Sequence, residues 1–243
     1  MPRRALLLIL ALAGLRRPEA PAQNRADTEF WYEQGRSLML EEDWYGASEA
    51  FMECVGLNPA HAGASAALAE CYYELGEFDQ ALSWVRSART LARGDMAVAN
   101  LEASTLAALG RLDAAQAVVG EVLAREPYNR EALFVAGELD LARGRSASAA
   151  ERFREAARRY PDDRRLLVSL ALVLGSLGED ETARSYIAQA LSRYPDDSRV
   201  HYYAAYLDAQ GGRLAQAIRS AEQALYYTPG YAPALSLLGS LRY

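Results

Sequence analysis

Residues 130–163 read REALFVAGELDLARGRSASAAERFREAARRYPDD, and the same pattern begins again at each multiple of that length along the chain. Ala149 stands on a ladder with Ala47, Ala81, Ala115, Ala183 and Ala217. Pro161 shares the period with Pro59, Pro127, Pro195 and Pro229, and Arg93 takes the missing rung. Gly137 belongs to a third ladder, Gly35, Ala69, Ala103, Gly137, Ala171, Ala205 and Gly239, always Gly or Ala. Self-similarity at a fixed period marks a repeat architecture, in which one unit cannot bury its apolar face alone and stacked neighbours can.

Counted from Thr28, six units fill residues 28–61, 62–95, 96–129, 130–163, 164–197 and 198–231, and residues 232–243 begin a seventh. The first helix takes about the first fourteen places of a unit, Ala62–Leu75 in the second. A glycine follows at Gly76, Gly110, Gly144, Gly178 and Gly212, where the chain must leave one helix and turn. The second helix carries the alanine ladder and then Phe51, Val85, Val119, Phe153, Ile187 and Ala221. Proline closes it, because Pro lacks the N–H and disfavours helix in the residue before it. Asn129, Asp163 and Asp197 stand where the next helix needs an N-cap. Antiparallel helices joined by a short turn pack tightly only where side chains are small, so the Gly/Ala rung and the Ala rung are expected at the closest approach.

The pattern resembles the tetratricopeptide repeat family, whose signature appears in the first unit as Trp31, Gln34, Gly35, Leu38, Ala47, Phe51 and Pro59. The fourth unit matches with Leu133, Ala136, Gly137, Ala149, Phe153 and Pro161. The resemblance implies an all-α fold: a right-handed α-solenoid of six helix-turn-helix repeats plus a seventh first helix. Asp140 and Asp208 depart from it at the usual aromatic place, and Glu102 at the usual leucine place. These carboxylates are either half-exposed at a groove or paired with nearby Arg.

Every basic side chain except the two histidines is Arg, which reads as the codon bias of a GC-rich genome. Residues 1–22 lie outside the repeats. Arg3 and Arg4 precede an apolar run over residues 5–15, and Ala20-Pro21-Ala22 offers an A-x-A cleavage site before Gln23. The run is too short to span a membrane as a helix. A cleaved export signal is the leading expectation, with a short retained anchor or a misplaced start as alternatives. Residues 23–27 are expected to be a linker. Without 1–22 the chain keeps 22 Arg and 31 acids, a net charge of −9. The charge is uneven: residues 27–80 hold twelve acids and one Arg, Arg36, against twenty Arg and nineteen acids in residues 81–243. An acidic start argues against nucleic acid and anionic membrane, which need clustered cations. It is either a solvated surface or a dock for a basic segment.

Catalytic chemistry is not assembled. His61 and His201 stand 140 residues apart and in no metal-ligand spacing, and His201 falls on a core place of unit six. A phosphate loop of the Walker type needs Lys, which the chain lacks. No metal and no small-molecule cofactor are expected. Cys54 and Cys71 fall on adjacent helices, and they are either two buried thiols or a disulfide. The arginines Arg152, Arg154, Arg158, Arg159, Arg164 and Arg165 cluster at the junction of units four and five. Pairing with Glu151, Glu155, Asp162 and Asp163 is expected, with a second partner surface as the alternative.

Family resemblance places ligands on the concave face of the first helices. Carried over place by place, this gives Tyr32, Arg36, Glu70, Tyr73, Glu74, Asn100 and Ser104 in the first three units. It gives Phe134, Val135, Glu138, Leu141, Val168, Leu172, Tyr202, Tyr203 and Tyr206 in the next three. Aromatic side chains there bury much area at low entropy cost. The expected function is a non-enzymatic scaffold or adaptor that binds a peptide or protein segment, exported to the periplasm or membrane and serving envelope assembly or secretion. The alternative is the targeting region of a longer exported enzyme. The apolar residues 232–243 lack a polar outer face, which suggests a partner or self-association there.

Overall fold

The computed structural model describes residues 21–242, and its ordered elements are helices throughout. They are α1 (Pro21–Leu40), α2 (Trp44–Leu57), α3 (Ala62–Glu74), α4 (Phe78–Leu91), α5 (Met96–Ala108), α6 (Leu112–Arg125) and α7 (Arg130–Ala142). There follow α8 (Ser146–Arg159), α9 (Arg164–Ser176), α10 (Asp180–Arg193), α11 (Ser198–Gln210), α12 (Leu214–Tyr227) and α13 (Ala232–Leu241). The described residues form two compact units that divide between Leu109 and Gly110. In the first, each helix from α1 to α5 packs on the next, and α3 also lies against α5. In the second, α6 to α13 do the same, with α9 against α11 and α11 against α13. First helices therefore line up side by side within each unit.

The caps follow the expected rungs. The Ala132 N–H donates to Asn129 Oδ1 (3.0 Å), Leu166 N–H to Asp163 Oδ1 (3.1 Å), and Arg199 N–H to Asp197 Oδ1 (2.8 Å). The same rung holds His61, whose Nδ1 accepts from the Ala64 N–H (3.0 Å), so this histidine is a helix cap. At the turn after the first helix of unit four, Gly144 takes φ 72° and the Arg145 N–H reaches back to the Asp140 carbonyl (2.8 Å). Unit one has Glu42 at this rung, and it takes the same left-handed conformation (φ 59°) although it is not glycine.

Close packing explains which small residue stands at each rung. A Cβ built on Gly137 would lie 2.6 Å from Phe153 Cζ, and one on Gly35 would lie 2.6 Å from Phe51 Cε1. Where the rung is Ala69, Ala171 or Ala205, the facing place holds Val85, Ile187 or Ala221 in its stead. Glycine goes with phenylalanine and alanine with smaller side chains, because the interhelix space is filled once. Phe51, Phe153 and the alanines at 47, 81, 115, 149 and 217 are fully buried.

Repeats within the second unit are also tied to their neighbours through polar contacts. Arg130 pairs with Asp163 (3.2 Å), and Arg164 with Asp197 one repeat later. The Tyr160 and Tyr194 hydroxyls donate to the carbonyls of Tyr128 and Asp162.

The N-terminal end differs from the sequence reading, and the cysteines take the first of its two alternatives. The linker expected over 23–27 is helical, because α1 runs unbroken from Pro21 and its early residues, Ala22, Gln23, Arg25 and Ala26, are good helix formers. The export signal expected over 1–22 lies, but for its last two residues, outside the described residues. Cys54 and Cys71 are free thiols, fully buried in one apolar cluster with Phe51 and Leu68. Burial pushes the Cys71 thiol up to about 12, with Glu70 adding to it.

Candidate functional site

The departures from the family pattern are pairing sites. Asp140 is 2% exposed and accepts from Arg145 Nε (3.0 Å) and Arg152 Nε (2.6 Å). Burial opposes its charge, but hydrogen bonds from Arg152 and Arg145 prevail and hold its carboxyl below the ordinary carboxylate range. Asp208 accepts from Arg213 Nε (2.8 Å), and Glu102 pairs with Arg89 (3.1 Å) and Arg86 (3.5 Å). Each carboxylate replaces a family core residue and brings its own guanidinium, as burial of a charge requires.

Among the described residues, four of the six clustered arginines form ion pairs, but of the carboxylates expected for them only Glu151 is used, and the other partners lie a helix or a repeat away. Arg152 reaches Asp140, Arg165 reaches Glu131, and Arg159 lies over the Tyr128 ring (4.5 Å). Arg154 keeps a local partner in Glu151 and adds Glu179 (3.7 Å).

In the first unit, Glu70, Tyr73 and Glu74 share α3, and Asn100 and Ser104 share α5, which packs beside it. Glu70 and Glu74 are open to water, while Asn100 is buried. Burial and then the neighbouring Glu74 raise the Glu70 carboxyl. The Tyr73 ring meets Phe78 edge-on (5.4 Å). Tyr32 does not stand free: it packs into the cluster of Phe51 (5.8 Å) and His61 (4.6 Å). Arg36 is exposed and pairs with Glu33 (3.0 Å).

In the second unit, Phe134, Val135 and Val168 are buried, and Leu172 is half-buried against the same cluster. Phe134 packs on Phe153 (5.7 Å) and is covered by the Arg165 guanidinium (4.6 Å to the ring centre). Glu138 sits one helix turn on, open to water yet hemmed in by protein. Burial first, then Glu131, pushes its carboxyl up to about 7, and Arg165 acts against them. Leu141 is exposed at the end of α7. On α11 the Tyr202 ring lies 5.0 Å from Tyr203, 6.5 Å from Tyr206 and 5.8 Å from Tyr231. The Tyr206 hydroxyl accepts from Gln210 Nε2 (2.8 Å). His201 stacks on Tyr227 (5.4 Å) and bonds the Pro195 carbonyl (2.7 Å), a structural role.

Sequence reasoning missed Glu131 and Tyr231, and it set Arg165 in the arginine cluster rather than on this face. Glu131 and Arg165 occupy the second place of their units, one of the face-forming places, so that signal was available. Tyr231 stands on the capping rung and offered none. Among the described residues no group of His, Cys, Asp and Glu could hold a metal ion, and no helix is long and apolar enough to cross a membrane.

Comparison with known proteins agrees with this geometry. The family profile described as Tetratricopeptide repeat matches residues 38–104, 106–172 and 140–206. No curated protein sequence is similar. Among solved structures, a thermophilic TPR protein of Thermus thermophilus is 24% identical, with a TM-score of 0.69 over 74% of this chain and 98% of that one. PilW, described as a widely conserved type IV pilus biogenesis factor, is 18% identical, with a TM-score of 0.71 over 87% of this chain and 98% of that one. The Pseudomonas aeruginosa protein pilF is also 18% identical, with a TM-score of 0.64 over 90% of this chain and 99% of that one. At these identities the likeness is one of fold.

Proposed function

Because this chain belongs to the tetratricopeptide repeat family, we propose that it is a non-enzymatic scaffold that holds an extended protein or peptide segment against its first helices. The carrying observation is the tyrosine cluster Tyr202, Tyr203, Tyr206 and Tyr231, four rings centred on Tyr202. Such a shelf offers flat apolar area to side chains and hydroxyls to a peptide backbone, at the cost of few rotatable bonds. In the first unit, Glu70 and Glu74 flank Tyr73 on α3 and give that helix an acidic patch. The protein works outside the cytoplasm, in envelope assembly or secretion. The apolar run of residues 5–15 supports export, and the fold likeness to PilW, a type IV pilus biogenesis factor, is compatible with a role in assembly.

The binding test is capture from the native envelope followed by mass spectrometry. Replacing Tyr203 and Tyr206 by Ala should weaken capture by about 2 kcal/mol each while the helical dichroism stays. Capture that survives these changes and is lost with Arg158→Ser and Arg159→Ser would move the site to the arginine-rich second helices. Export is tested by N-terminal sequencing, which should begin at or near Gln23; a protein retaining Met1 would refute it.

A further inference from the structure

A cleft of about 750 Å³ opens in the first unit between α1, α2, the end of α3 and the start of α4. Trp31, Gln34 and Leu38 of α1 line part of it, but none of the groove residues carried over from the family, Tyr32 to Tyr206, does. Its apolar wall includes Phe30, Tyr45, Met52 and Leu75, and its rim carries Glu49, Glu53 and Glu77. Phe30, Tyr45 and Met52 are 59%, 66% and 46% exposed. Three large apolar side chains facing water in one concavity are unfavourable unless something covers them. The Phe30 ring is set edge-on to Trp31 (5.2 Å, 75°), which fixes its direction. Across Phe30 lies a second hollow of about 570 Å³, lined in part by Glu29 and Glu33.

Charge selects the occupant. The cleft lies within residues 27–80, where twelve acids face one Arg, and that Arg36 is already paired with Glu33. An anionic ligand is repelled here, and a purely apolar segment would strip water from the rim carboxylates without replacing it. A segment that spaces Arg or Lys between Leu, Ile or Phe meets both demands. Its cations lie over the exposed rings of Phe30 and Tyr45 and beside the rim carboxylates, while its apolar side chains cover Met52 and Leu75.

We propose that this cleft is a second docking surface of the protein, separate from the first-helix face, and that it takes a basic amphipathic segment of another polypeptide. The probe is a fluorescein-labelled decapeptide alternating Arg and Leu with one Trp, read by anisotropy with the full chain. Two control peptides carry Glu for every Arg, or Ser for every Leu. The Arg/Leu peptide should bind at least tenfold more tightly than either control, and raising salt should weaken it severalfold without abolishing it. Phe30→Ala with Tyr45→Ala should cost tenfold or more, and Glu49→Gln with Glu53→Gln severalfold, with unchanged helical dichroism. Tyr203→Ala with Tyr206→Ala should leave this binding as it was, whatever those changes do at the first-helix face. Three results would each overturn the proposal. One is equal binding of the Arg/Leu and Arg/Ser peptides, which means bare charge attraction. Another is binding insensitive to Phe30 and Tyr45. The third is concentration-dependent self-association in sedimentation that Phe30→Ala abolishes, which would make a second copy of this chain the occupant.

Discussion

Gly137→Ala is expected to destabilise the protein, against the usual sign of that substitution. In a helix interior, glycine to alanine gains about 1 kcal/mol from backbone entropy. Here the new methyl would lie 2.6 Å from Phe153 Cζ. The ring has little room to yield, since Phe153 is fully buried and Phe134 packs on it at 5.7 Å. Overpacking of this kind costs about 1–3 kcal/mol, so a net loss of up to about 2 kcal/mol should remain. The assay is chemical denaturation followed by circular dichroism, run as a double-mutant cycle with Phe153→Ile. That partner recreates the Ala171/Ile187 combination that the chain already uses one repeat later. The double variant should be more stable than the sum of the single changes by about 1 kcal/mol or more. A stabilised Gly137→Ala, or additivity within about 0.5 kcal/mol, would refute the reasoning that the rung and its facing residue fill one space.

Glu42→Gly should stabilise the protein by about 1 kcal/mol, because Glu42 holds φ 59° where glycine carries no Cβ penalty; thermal melts check it. Asp140→Asn should cost about 1–2 kcal/mol, less than a fully buried ion pair, because Arg145 and Arg152 remain half exposed to water. The Asp140 carboxyl is held below its unfolded value, so its stabilisation is present above about pH 4 and is lost as pH falls through the folded value. Acid denaturation of Asp140→Asn should therefore show a shallower acid limb than that of the parent. Glu138 has the opposite sign. Its folded carboxyl is raised to about 7, so the folded state binds the proton more tightly and loses that stabilisation as pH rises from about 4.5 to about 7. Glu138→Gln should remove this slope, and carboxyl titration by NMR should place Glu138 near neutrality.

The repeat period, the limits of the helices after α1, the turn glycines and the capping residues were legible in the sequence because each is a local demand. A helix must end where Gly144 turns it, and its first N–H groups need an acceptor such as Asp163 or Asn129, whichever neighbours pack on it. Even His61 as a cap lay on the visible rung. The pairing of Gly137 with Phe153 was half visible, since both ladders could be read but their shared space could not. What α7 and α9 do together was decided only in three dimensions. Phe134 occupies a face-forming place, yet Arg165, drawn in by Glu131 from the first helix of the next repeat, covers it. Asp140 reads as a flaw in the pattern until Arg145 and Arg152 are seen to close on it. The cleft around Phe30, Tyr45 and Met52 gathers residues from four helices whose exposure no single helical period specifies. Backbone periodicity sets which residues can point the same way. Whether they meet water, a charge or a ring depends on how long side chains from neighbouring repeats fill the remaining space, and only the packed structure determines that.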